Sequence, residues 1–272
     1  MLECINEKSY LYTNVKCLRE KMNNLYNKLA DVYDAIYQSF INYEEEFEFY
    51  YQILNYYSCK SVTELGCGTG NLSNHFNDHH IKYTGIDQSE AMLGIARNKF
   101  PNCTFLQSDM RHFHLPEKTE SIILTGRTIS YLLTNKDVLD TFKTINANLT
   151  EGGILCFDFI DANRFIPLIK KKNTVTHYAE VNGVNYQRTS LWSINYYHSW
   201  SFNWHSVYYI RNQNGELVVL GEDHSEIRAF TKDEIQIFLE LTGFEVKQVI
   251  DRASYAFDTF VVVAQKKQNQ IH

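Results

Sequence analysis

The residues with the clearest chemical potential fall in Val62-Thr63-Glu64-Leu65-Gly66-Cys67-Gly68-Thr69-Gly70-Asn71. An apolar run ending at a carboxylate and followed by Gly-x-Gly-x-Gly reads as a buried strand, a tight turn and a helix start. The glycines permit dihedrals and a close ligand approach that a Cβ would block. The helix behind them offers unpaired N–H groups at its N-terminus. This combination points to a nucleotide-like ligand at the edge of a doubly wound sheet. A dinucleotide site needs Gly-x-Gly-x-x-Gly, and here the third glycine comes one residue early.

The elements that position this turn follow from the hydrophobic pattern. Residues 61–65, 82–87, 104–107, 121–125 and 154–160 read as five strands. Helices starting near Asn71 and Gln88, and over 135–149, separate them. That alternation predicts a parallel sheet with helices on both faces. Ser89 is the expected N-cap of the second of these helices. After Asp161 the pattern changes: residues 174–229 are rich in Tyr, Trp, Ser, Thr and Val, with Asn182-Gly183 and Asn214-Gly215 as expected hairpin turns. This predicts an antiparallel sheet inserted after strand five. A capping box, Thr231-Lys232-Asp233-Glu234, then opens a helix that Gly243 closes. Residues 244–251 and 259–264 complete the sheet as an antiparallel pair. Upstream, residues 22–57 are helical in pattern, and Glu44, Glu45, Glu46 and Glu48 read as a solvated face.

The fold expected is therefore α/β, a Rossmann-like doubly wound seven-stranded sheet with its last strand antiparallel, plus the inserted antiparallel sheet. The boundaries are 1–57 for an N-terminal helical arm or lid, 58–161 with 230–266 for the ligand-binding domain, 162–229 for the insertion and 267–272 for a tail. A length of 272 residues suits one large domain with an insertion. With 44% hydrophobic and 21% charged residues, a packed core forms and wholesale disorder is excluded. A net charge of -6 argues against a nucleic-acid partner, which needs a basic face. The scattered cysteines, Cys4, Cys17, Cys59, Cys67, Cys103 and Cys156, suggest neither a zinc site nor a disulfide framework. No signal peptide and no membrane span is visible, so a cytoplasmic protein with reduced thiols is expected.

The order of motifs resembles the class I S-adenosylmethionine-dependent methyltransferases across roughly residues 29–265. Glu64-Leu65-Gly66-Cys67-Gly68-Thr69-Gly70 resembles the family's first motif, and Leu149-Thr150-Glu151-Gly152-Gly153 resembles its Leu-x-Pro-Gly-Gly turn with Glu151 in place of proline. The resemblance implies S-adenosylmethionine as cofactor and S-adenosylhomocysteine as product. It implies that Glu64, Gly66, Gly68 and Gly70 serve the methionine part, that Asp87 with Gln88 takes the ribose hydroxyls, and that Met92, Asp109 and Met110 surround the adenine. Thr125, at the end of strand four, joins this cofactor set. The Leu-Ala-x-x-Tyr-Asp-x-x-Tyr run at residues 29–37, with the late insertion, resembles the glycine and amino-sugar N-methyltransferases. There the N-terminal helix lies over the cofactor, which would turn Tyr33 and Tyr37 toward it.

The sulfonium methyl is already electrophilic, so the reaction is an in-line displacement governed by positioning, and no metal is expected. His75, His79 and His80 read as surface residues rather than ligands. Residues 126–131 lie beneath the reacting methyl in this family. They lack the Asn/Asp-Pro-Pro-Tyr of adenine- and amide-directed enzymes. Arg127 is a candidate for an acceptor carboxylate or phosphate, or alternatively a salt-bridged loop residue. Tyr131 is a candidate for orienting an amine or hydroxyl. Asp158, Asp161 and Arg228 are further acceptor-side candidates, and His198, His205 and His224 are candidate bases. Tyr131, His224 and Arg127 form the expected catalytic set. Trp192, Trp200 and Trp204 form either an aromatic wall or a packed sheet face. The function expected is methyl transfer to an N or O atom of a small metabolite, with no nucleic-acid or membrane partner and with the inserted sheet offering a homodimer face. The rivals are a protein or RNA methyltransferase, a non-catalytic cofactor-binding protein and a dinucleotide-dependent oxidoreductase.

Overall fold

The computed structural model describes residues 29–181, 183–195, 200–212, 214–254 and 257–268. The expected arm over residues 1–28, His198 and the last residues of the tail lie outside them. Parallel strands β1 (Ser61–Leu65), β2 (Lys82–Asp87), β3 (Thr104–Gln107), β4 (Thr119–Leu124) and β5 (Leu149–Phe159) alternate with helices α3 (Ser73–Asp78), α4 (Glu90–Lys99) and α5 (Asn135–Asn148). The chain closes with α7 (Lys232–Leu241), β10 (Phe244–Arg252) and β11 (Thr259–Lys266). The seven strands run in the order β3-β2-β1-β4-β5-β11-β10. β11 is antiparallel to both neighbours.

Period-two alternation sends side chains into two cores, as strands covered on both faces require. Leu65, Ile122, Leu124 and Phe157 pack with Phe142 of α5 and Ile235 of α7. Val62, Ile123, Cys156 and Val263 face the other way, onto Phe76 of α3 and Leu93 of α4. Helix α2 (Tyr43–Tyr56) completes this second layer through Phe47, Tyr50 and Leu54. The N-terminal helical stretch is thus two helices with two jobs. α1 (Ala30–Phe40) lies beside the second sheet, and α2 is part of the core. The break falls at Ile41-Asn42, where the Asn42 side chain accepts from the Glu45 N–H and starts a new helix.

The insertion contains α6 (Ala162–Lys171) and an antiparallel meander β6-β7-β8-β9: β6 (Thr174–Val181), β7 (Val184–Ile194), β8 (Ser201–Arg211) and β9 (Leu217–Arg228). β6 and β7 pair as far as Val181 opposite Val184, and Asn182 of the expected turn lies outside the described residues. The β8–β9 connection is longer than a tight hairpin, spanning from Arg211 to its partner Leu217. There Asn212 Oδ1 accepts from the Asn214 and Glu216 N–H groups. The insertion returns to its point of departure: Phe230 N–H donates to Ile160 O and Ala162 N–H to Phe230 O.

The capping box at Thr231 and Glu234 and the Ser89 cap form as expected. Asn71 precedes its helix by two residues, because α3 is a single short turn-and-a-half starting at Ser73. Gly70 adopts φ +73, and an added Cβ would lie 2.8 Å from Phe105 Cζ and 3.1 Å from Ala96 Cβ. Gly70→Ala therefore combines backbone strain with overpacking and should cost about 1–3 kcal/mol. Urea unfolding checks this; an unchanged midpoint would contradict the packing role.

Candidate functional site

The carboxyl ends of β1, β2 and β4 open into one cavity, walled on the far side by the inner face of the second sheet and covered by α1. Asp87 ends β2, and its Oδ2 accepts from the Gly68 N–H at 2.9 Å while Oδ1 accepts from the Ser89 N–H at 2.8 Å. Burial pushes its pKa up, and these backbone donors oppose the shift. Glu64 ends β1 and is buried, accepting from Tyr83 Oη at 2.6 Å and Thr125 Oγ1 at 2.8 Å. Burial raises its carboxyl to about 7 despite both hydroxyls. A Cβ built on Gly68, at φ +53, would meet nothing within 4 Å. The glycine turn thus presents bare backbone to open space between the buried Glu64 and the half-buried Asp87.

Helix α1 is held over this turn. Asp34 accepts from Thr69 Oγ1 at 2.5 Å and from Lys99 Nζ at 2.9 Å, and Lys99 also reaches Asn71 Oδ1 at 2.6 Å. Burial alone would raise the Asp34 carboxyl; the hydroxyl and ammonium overcome it and hold the carboxyl below its usual range. Tyr33 and Tyr37 stack at 4.0 Å, and both line the cavity. Tyr37 Oη accepts from Arg188 Nη1 at 2.6 Å.

Beneath the cavity, the backbone passes through Gly126 and Arg127 into a 3-10 turn at Thr128–Tyr131. Arg127 is left-handed, at φ +66, and its N–H donates to Asp158 Oδ1 at 2.7 Å. Its guanidinium donates to Ser254 Oγ and lies 4.4 Å from the Phe257 ring. Burial lifts the Asp158 carboxyl to about 6, with Arg127 opposing. On the second sheet, His177, Arg188, Trp192 and Trp204 face inward and line the cavity. His177 stacks on Phe40 at 5.1 Å, and its buried Nδ1 has no hydrogen-bond partner among the described residues. Burial, and secondarily the Arg188 charge, drops the His177 pKa to about 4.

The cavity brings together Tyr33, Tyr37, Glu64, Gly66, Gly68, Asp87, Gln88, Met110, Thr125, Arg127 and Tyr131. It does not take in the other expected site residues. Gly70 packs behind the turn against Phe105. Met92 is fully buried on the inner face of α4. Asp109 is clasped by Arg111, which also binds Asp137. Asp158 supports the Arg127 backbone, and Asp161 sits buried at the start of α6. Arg228 joins β9 to α7 and α5, donating to Glu234 and Asn135 over the Phe230 and Phe238 rings. His224 and His205 lie on the outer face of the second sheet, beside Glu222. Trp200 is 45% exposed, whereas Trp192 and Trp204 form cavity wall. Glu46, expected on a solvated face, turns inward and pairs with Arg252 at 2.9 Å. His177 and Arg188 carry no motif. The signal that could have found them is their cross-strand pairing between β6 and β7, which puts them on one face with Ala179 and Tyr186 two residues away.

Residues 62–153 match the family model described as "Methyltransferase domain". Among curated relatives, the YqeM protein of Bacillus subtilis is 26% identical over 193 residues, 69% of this chain and 74% of that protein. The dTDP-3-amino-3,4,6-trideoxy-alpha-D-glucopyranose N,N-dimethyltransferase of Streptomyces venezuelae is 30% identical over 95 residues, 35% of this chain and 40% of that one. The solved structure of S-adenosylmethionine-bound CalS10, an amino pentose methyltransferase from Micromonospora echinaspora, superposes with TM-score 0.72 at 18% identity, covering 87% of this chain and 97% of the other, a likeness of fold.

Glu64 makes the site's pH behaviour testable. The unfolded carboxyl releases its proton near 4.5 and the folded one near 7, so the folded chain binds the extra proton between these values. Stability therefore falls as pH rises through this window, by about 3 kcal/mol for this group. Urea unfolding of Glu64→Gln between pH 5 and 7 should lose about 2 kcal/mol of that decline; a profile parallel to the parent's would contradict it.

Proposed function

We propose that the chain is a class I S-adenosylmethionine-dependent methyltransferase that methylates an N or O atom of a small metabolite, with an amine acceptor the favoured case. The observation behind this is the continuity of one cavity from the Gly68–Asp87 turn, past residues 126–131, to an aromatic chamber on the second sheet. The likeness to an amino-sugar dimethyltransferase and an amino pentose methyltransferase supports nitrogen. Among the described residues no helix is long and apolar enough to cross a membrane.

The residues fit the cofactor. Asp87 has two oxygens at the cavity edge, each holding one backbone N–H, with lone pairs left for vicinal hydroxyls. Glu64 offers a carboxylate for a cationic amine, and Tyr33 with Tyr37 covers the site from α1. When bound, the cofactor supplies a methyl group made electrophilic by its sulfonium charge. The chain's own work is to hold the acceptor in line with it and exclude water. Tyr131 and the Arg127 turn form the floor; Trp192, Trp204 and Phe257 form the chamber wall.

We assign His177 a positioning role toward the acceptor. Its free Nδ1 accepts a hydrogen bond from an acceptor N–H or O–H and aims the opposite lone pair. At a pKa of about 4 it is a poor proton acceptor. The proton therefore stays on the acceptor until the new bond to the methyl carbon has formed, and then passes to water. This placement replaces His224 as the histidine of the site. We propose a ligand-binding domain over 58–161 with 230–266, an insertion over 162–229, and α1 as the lid. A homodimer is proposed through the β6 edge of the second sheet's outer face, where Tyr178 is 70% exposed, leaving β8 and β9 open to solvent.

Mass spectrometry across amino sugars, amino acids and phenols, with S-adenosylmethionine as donor, tests the reading. One or two methyl additions to an amino sugar are expected. Methylation of protein or RNA alone would contradict it. Asp87→Ala should weaken cofactor binding at least tenfold with the fold intact; unchanged affinity would remove Asp87 from the ribose role. His177→Phe should keep cofactor affinity within about twofold while kcat/KM for the acceptor falls at least about tenfold. An unchanged kcat/KM would remove His177 from the site.

A further inference from the structure

The outer face of the second sheet carries a cluster that methyl transfer does not use. In the β8–β9 register, His205 stands directly opposite His224, and Val207 opposite Glu222. Residues 222 and 224 are two apart on one strand, so all three side chains project from the same face. That face is turned away from the acceptor chamber, whose wall is formed by the alternate residues Phe202 and Trp204. The two imidazoles stack at 4.0 Å with planes 8° apart. His205 Nε2 lies 3.1 Å and His224 Nε2 3.5 Å from the same Glu222 Oε2. One nitrogen from each histidine and one carboxylate oxygen thus converge, all within 4.8 Å of one another.

We propose that His205, His224 and Glu222 bind a divalent transition-metal ion of the zinc class on the outer face of the second sheet. Two imidazole nitrogens and a carboxylate suit zinc, nickel or copper; calcium and magnesium demand all-oxygen shells. Ligand atoms around a tetrahedral zinc stand about 3.3 Å apart, given bonds of about 2.0–2.1 Å. Coordination by both lone pairs requires the stacked rings to turn out of their parallel arrangement and edge-on to a common point, a rotation about the side-chain torsions that two partly exposed side chains can make. The three side chains are 34%, 48% and 53% exposed for His205, His224 and Glu222, so an ion enters without opening the fold. An ion takes the lone pairs of neutral imidazoles, so its affinity falls as pH is lowered. Bound there, the ion ties β8 to β9, the two strands that present Trp204 and Ile227 to the chamber. Its effect is on the stability of this sheet and not on the chemistry of transfer.

The test uses the full chain, stripped with chelator and titrated calorimetrically with Zn²⁺. One equivalent should bind, and the thermal midpoint should rise with metal concentration by mass action. The His205→Asn/His224→Asn double variant should lose this equivalent at least about a hundredfold in affinity, and Glu222→Gln should weaken it about tenfold. A His112→Asn/His114→Asn control should bind as the parent does. Electron paramagnetic resonance of the Cu²⁺-loaded parent should show two coupled imidazole nitrogens. Because the substituted side chains are exposed, circular dichroism and the metal-free midpoint of each variant should match the parent's, which separates lost binding from lost folding. Uptake of no metal by the parent would overturn the proposal. So would an undiminished equivalent in the folded double variant, or a copper spectrum with fewer than two nitrogens.

Discussion

Two carboxylates at the ends of adjacent strands, Glu64 buried and Asp87 half-buried, set the terms for everything around them. Glu64 and Asp87 lie where a doubly wound sheet opens its cleft, and a buried negative charge is costly unless hydrogen bonds or a cation answer it. Asp87 draws in the Gly68 and Ser89 N–H groups, which fixes the glycine turn and the start of α4 at once. Glu64 draws in Tyr83 and Thr125 from the strands on either side of β1. A cationic, hydroxyl-bearing ligand answers both charges, which is the character of S-adenosylmethionine.

The same turn carries the cover. Thr69 follows Gly68, and its hydroxyl binds Asp34 of α1 while Lys99 of α4 binds Asp34 and Asn71. A helix from outside the central sheet is thereby tied to the loop that faces the ligand. From α1 the connection continues through Tyr37 to Arg188 on the second sheet. The glycine-turn end and the second-sheet end of the cavity therefore share one polar chain of contacts, with α1 as its middle link.

The central sheet was readable because its strands are continuous apolar runs between turn and cap signals; Ser89, Thr231 and Gly243 mark helix ends by local chemistry alone. The Asp87 end of the cavity was equally legible, since glycine spacing and a strand-end carboxylate are local patterns. The acceptor end was not. Which face of an antiparallel strand turns inward depends on what packs against it, and the packing partner of β6 is α1, far away in sequence. His177 and His224 are alike as letters; one stacks half-buried on Phe40 and the other stands in solvent beside Glu222. Position in the chain points to Arg228 and Asp109 as site residues, but each meets a partner, Glu234 or Arg111, that engages it outside the cavity. Glu46 misled for the opposite reason: a run of glutamates looks solvated, and only Arg252, more than two hundred residues on, draws one of them inward.

The most direct measurement is a calorimetric titration of the purified chain with S-adenosylmethionine, S-adenosylhomocysteine and NAD. The account predicts one site per chain for each adenosyl ligand, with micromolar affinity, and no heat from NAD. A folded chain that binds neither adenosyl ligand, or that binds NAD as tightly, would contradict it and return the glycine turn to a purely structural role.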